Sequence, residues 1–136
     1  MARKISARLI SAYETVAQLQ IRKIDDRYVL RRTSESPDDK QLAQSYFEKA
    51  YAAYAKALEI SPENPALLND TAVMLHYYLD RDAEKAKAMY KKAAELAEAE
   101  LKRGDLTPEV RTRDETALRD SRNNLAKLER GEKREG

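Results

Sequence analysis

The chain has no cysteine and no tryptophan, a single histidine (His76), a single phenylalanine, three glycines and four prolines among its 136 residues. Without cysteine there can be no disulfide, thiolate metal site or thiol nucleophile, and no sign of redox compartment. One histidine and scattered acids supply no ligand cluster. Three dispersed glycines supply neither a phosphate-cradling loop nor a nucleophile elbow. His76 by itself reads as a packing or groove residue on a helix. The Asp38-Asp39 pair reads as helix-start charge, not a catalytic dyad. No catalysis, cofactor or metal is therefore expected. Every apolar stretch is interrupted by charge, and no apolar run follows the basic start Met1-Ala2-Arg3-Lys4. Neither a membrane span nor a signal peptide is expected, and a cytoplasmic location follows as the default.

What is present is helix-forming. Charged residues make up 37% of the chain and mean hydropathy is −0.81, yet the 42% of hydrophobic residues recur at regular intervals. Alanine, glutamate, lysine and leucine are abundant, a composition of long helices. A chain of this length forms one domain that buries roughly two-thirds of its unfolded surface. Charge is uneven: residues 1–33 carry +5, residues 34–101 carry −5 and residues 102–136 carry +2. No exposed aromatics interleave the basic residues, so nucleic acid is not expected as a partner.

In chain order, Ile5, Leu9, Ala12, Tyr13, Val16, Leu19, Ile24 and Tyr28 recur at three- and four-residue steps, predicting a helix over residues 3–32. It would extend ~45 Å. Ser36-Pro37-Asp38-Asp39 starts a second helix that runs to Ile60, with Leu42, Tyr46, Phe47, Ala50, Tyr54, Ala57 and Leu58 inward. Asn64-Pro65 opens a third to Leu79, with Leu68, Thr71, Ala72 and Leu75 inward. One of Tyr77 and Tyr78 must also face the core. Asp80-Arg81-Asp82 turns into a fourth, residues 83–103, carrying Ala86, Met89, Tyr90, Ala93, Leu96, Ala97 and Leu101 on its apolar face. After Gly104, Thr107-Pro108 opens a fifth that ends near Glu129 and is lined sparsely by Val110, Ala117, Leu118, Leu125 and Leu128. No strand signal appears, so the expected fold is all-α, about five helices with neighbours mostly antiparallel. Residues 131–136 read as a disordered polar tail.

Two sets of residues share the spacing small–x3–aromatic–x2–small: Ala50, Tyr54, Ala57 and Ala86, Tyr90, Ala93, offset by 36 residues. Helix–turn–helix repeats of ~34 residues have a similar period. Leu68, Thr71, Ala72 and Leu75 supply the first-helix pattern large–x2–large–small–x2–large, and Pro62 stands where the repeat ends. On these residues the chain resembles the tetratricopeptide repeat family. The clearest repeat is 65–97, a half repeat covers 38–62, and 108–130 forms a capping helix within a single domain of residues 1–130. The resemblance implies antiparallel hairpins in a right-handed superhelix. Small residues at 72 and 86 let the helix axes approach closely. Departures are Thr71 in place of a leucine-type residue, a turn after Leu79 two residues longer than the pattern, and about twenty extra residues before Asn124-Leu125-Ala126.

The same resemblance implies a non-catalytic protein–protein interaction module whose first helices line a concave groove for a partner peptide or helix. The repeat register puts Ala66, Asn69, Val73, His76 and Tyr77 in that groove, and Asp120, Asn123, Lys127 and Arg130 in equivalent places on the last helix. Asn69 would hydrogen-bond a ligand backbone; Lys127 and Arg130 would attract acidic groups. Relatives that bind chaperone tails carry Asn where this chain has Asp70, whose charge opposes a carboxylate. Two alternatives stand beside this reading. One is self-association, as a homodimer for instance, through Tyr13, Val16 and Leu19. The other is phosphopeptide binding, since Arg27-Tyr28 with Arg31-Arg32 resembles the arginine clusters of 14-3-3 proteins.

Overall fold

The computed structural model describes residues 37–131 together with residues 12, 13, 15 and 16. All regular structure among the described residues is helical: α1 (Pro37–Ile60), α2 (Pro65–Val73), α3 (Ala83–Leu101) and α4 (Pro108–Glu129). The four described residues near the N-terminus are helical too. The remainder of the expected 3–32 helix, the start signal at Ser36 and the tail beyond Gly131 lie outside the described residues.

The helix starts follow from local chemistry. Asn64 Oδ1 accepts from the Leu67 N–H at 3.2 Å, and Thr107 Oγ1 accepts from the Val110 N–H at 3.2 Å. Each satisfies one amide that has no partner inside its helix, and Pro65 and Pro108 occupy first-turn positions that need no donor. α2 does not stop at Val73. It runs on through Met74–Leu79 as a π-helix, wound one residue wider per turn. It ends at Asp80, which is left-handed at φ 54°, and the Asp80 and Arg81 N–H groups both donate to the Leu75 carbonyl. Asp82 is left-handed as well, at φ 53°. Aspartate tolerates that region better than most residues. The extra length in this turn is thus taken up partly by π winding and partly by two left-handed aspartates.

One core joins α1, α2 and α3. Phe47, Ala50, Tyr54 and Ala57 meet Leu67, Ala72, Met74, Leu75 and Tyr78, and Ala86 and Tyr90 complete the cluster. The Phe47 and Tyr78 rings sit 5.3 Å apart and tilted. Tyr78 is buried and Tyr77 half-buried, the division expected of that pair. Leu68, Thr71, Ala72 and Leu75 are all buried as well. α2 packs against α1, α3 and α4, and α3 packs most extensively against α4.

One expectation needs correction and one is incomplete. Leu42, placed on the inward face of α1, is 38% exposed. On α4 Ala117 is buried and the other expected lining residues are half-buried, Leu125 and Leu128 against the core, but the fully buried positions beside Ala117 are the polar Asp114 and Ser121. The partner surface explains this. α3 turns Ala93 and Ala97 inward, and a face of methyl groups brings a neighbouring helix close enough that only short side chains fit between them.

Candidate functional site

The region with the most convergent polar chemistry is a row along α2 and its π-helical extension. Asn124 of α4 donates from Nδ2 to Asn69 Oδ1 at 3.2 Å, and the Tyr77 hydroxyl donates to Asn124 Oδ1. His76 stacks on Tyr77, ring centroids 4.3 Å apart, and meets the Tyr90 ring edge-on. Its Nδ1 lies 3.0 Å from the Tyr90 hydroxyl, and the two form one hydrogen bond in either tautomer of the imidazole. Burial pushes the Tyr90 hydroxyl well above its ordinary pKa, aided by Tyr77 and Asp70, so it stays protonated. The row ties α4 to α2 and α2 to α3 by side-chain hydrogen bonds.

This arrangement changes the part played by two groove residues. Asn69 is 6% exposed and His76 4% exposed, and Asn69 Oδ1 and His76 Nδ1 are each engaged by a neighbouring helix. The reason is α4, which covers the Asn69 side of α2, and Tyr90, which reaches across from α3. Of the other groove positions, Ala66, Val73, Tyr77 and Asp120 are half-buried, while Asn123, Lys127 and Arg130 are exposed. Arg27, Tyr28, Arg31 and Arg32 lie outside the described residues.

A cleft of about 300 Å³ opens where the π-helical end meets the start of α3 and the end of α4, with Leu75, His76 and Leu128 inside and Arg81 and Asp82 at the rim. Arg81 is committed to α1: its Nη1 and Nη2 donate to both oxygens of Glu48 at 2.7 and 2.8 Å. That fork raises the guanidinium pKa above its ordinary value. A shallower hollow along α3 and α4, lined by Leu101, Glu115, Leu118, Arg119, Arg122 and Asn123, has its cations partnered too. Arg122 bonds to Glu98, and Arg119 to Asp120.

Among the described residues no three His, Cys, Asp or Glu side chains converge to hold a metal ion. No described helix is long and apolar enough to cross a membrane. Three functional groups escaped sequence reasoning: the Asn124 amide, the Tyr90 hydroxyl and the Asp114 carboxylate. Asn124 had a signal, since it opens a motif-like Asn-Leu-Ala; Asp114 had none on so charged a helix. Comparison with family models, with curated proteins and with solved structures finds no match.

Proposed function

We propose that the chain is a cytoplasmic, non-catalytic protein–protein interaction module of tetratricopeptide type. It would hold a peptide or helix of a partner protein along the face shared by α2 and α4. On this reading α1 is the second helix of a half repeat, α2 and α3 form one repeat, and α4 is the cap. The observation that carries it is the burial of small residues at the repeat's contact positions: Ala50, Ala57, Ala72, Ala86 and Ala93 are all fully buried. Support for α4 as a cap comes from its exposed side, where Arg111, Glu115 and Arg122 make the polar outer surface that a terminal repeat needs. The groove of this reading is Ala66, Asn69, Val73, His76, Tyr77, Asn123, Lys127 and Arg130, with Asn69, His76 and Tyr77 also bonded to neighbouring helices.

Lys127 and Arg111 lie about 160° apart around α4 at ~100° per residue. A photo-crosslinking amino acid at 127 is expected to capture a discrete partner, and the same probe at 111 is not. Asn123→Ala with Lys127→Glu is expected to weaken that partner at least about tenfold, roughly 1.4 kcal/mol, with unchanged circular dichroism. Equal capture from both positions would remove the groove.

One observation favours a second reading, self-association. Val16, in the long N-terminal segment, is 44% exposed. Light scattering across a concentration series separates the two, because a chain that stays monomeric has no use for that surface in self-association.

A further inference from the structure

α4 buries a charge beside α3. Asp114 is 0% exposed, although carboxylates are seldom buried without full pairing. Arg113 donates from Nε and Nη2 to Asp114 Oδ1 at 3.1 and 3.0 Å. The same Nη2 donates to Glu100 Oε1, in the last turn of α3, at 2.7 Å. One amino group therefore holds two carboxylates side by side, one from each helix. The second oxygen, Asp114 Oδ2, is the one buried side-chain atom among the described residues with no hydrogen-bond partner.

A buried acceptor with no donor is expensive, and two adjacent carboxylates do not readily ionise together. A single proton resolves both problems. We propose that Glu100 carries a proton that it donates to Asp114 across the α3–α4 contact, and that this proton is a pH-sensitive latch on the cap helix. With the proton in place, the Glu100 carboxyl donates to Asp114 Oδ2 and α4 is held closed. When the proton leaves, two anions face each other across one guanidinium and α4 loosens.

The other charged groups facing Glu100 are Arg113 and, from the end of α3, Arg103. Arg103 is itself forked onto Asp105 at 3.1 and 2.9 Å, and Arg111 donates to the Arg103 carbonyl at 3.5 Å. The neighbouring Asp114 side chain is the largest influence on Glu100. Together with burial and the Asp114 charge, it raises the Glu100 pKa above the ordinary carboxylate value, against the pull of the two arginines. A folded-state pKa above the unfolded one gives stability that is complete below about pH 4.3 and is lost as pH rises through the folded value. Asp105 is shifted the opposite way by Arg103, so its contribution is lost only as pH falls through its lowered value. The two signals therefore lie at opposite ends of the titration.

The test is a carbon-13 titration of the Glu100 carboxyl in the full chain, with amide hydrogen exchange of α4 followed over the same pH range. The Glu100 midpoint is expected above that of an ordinary carboxyl. Protection of α4, corrected for intrinsic exchange, should fall at least about tenfold across that midpoint. Glu100→Gln supplies an amide donor at every pH, so its α4 protection should not follow pH in that window. An ordinary midpoint in the native protein overturns the proposal, whatever the variant does. So does a Glu100→Gln chain whose α4 protection tracks pH as the native chain does.

Discussion

Tyr90→Ala is expected to destabilise the chain by about 3–5 kcal/mol, the usual cost of emptying a buried aromatic site. Typical domains have only about 5–15 kcal/mol in total. The ring is fully buried between Ala86 and Ala93 of its own helix, and His76 meets its edge. Those alanines are too small to close over the hole. Tyr90→Phe separates the ring from its hydroxyl, because it keeps the packing and removes only the bond to His76. It should cost about 1–3 kcal/mol, the range for losing one partner of a buried hydrogen bond. Urea unfolding followed by far-ultraviolet circular dichroism measures both. A phenylalanine variant as damaging as the alanine variant would mean that the hydroxyl, not the ring, holds α3 in place.

Ala72→Leu or Ala86→Leu is expected to cost about 1–3 kcal/mol or somewhat more, although leucine is nearly as good a helix former as alanine. Both methyl groups are fully buried in the cluster shared by α1, α2 and α3. Added atoms there must move a helix or force a poor rotamer. Ala88→Leu is the control: the position lies on α3 and is exposed, and surface changes of this kind stay within about 0.5 kcal/mol. Thermal unfolding of the three variants checks the contrast. Equal behaviour at 72, 86 and 88 would show that close approach at the small residues does not govern the packing.

The readable part of the sequence was whatever depends on short-range chemistry and a regular period. Asn64-Pro65 and Thr107-Pro108 announced their helices, because capping needs only a side-chain acceptor and a proline in the right order. Leu68, Thr71, Ala72 and Leu75 announced the inward face of α2 by their spacing. The α4 contact of Asn69 was not legible, because a repeat register says only which face of a helix turns away from its own partner. It does not say whether the next helix along reaches that face, and here Asn124 of α4 does. Asp114 and Ser121 were hidden for a different reason. Hydrophobic periodicity finds buried residues only when they are apolar, and the alanine face of α3 admits short polar side chains instead. The π-helical winding of Met74–Leu79 was hidden as well, since over six residues it differs too little in period from an α-helix to leave a pattern.

The polar row on α2 docks its neighbouring helices, and on the proposed reading Asn123 and Lys127 are the exposed polar groups that meet a partner. Nuclear Overhauser contacts in the native chain test it most directly. The Asn124 side-chain amide should show cross-peaks to the Tyr77 ring and to Asn69, the His76 ring should show them to Tyr90, and the Asn124 amide protons should exchange slowly. An Asn124 amide that exchanges at the rate of free solvent-exposed amides, with no contact to Tyr77, would contradict it.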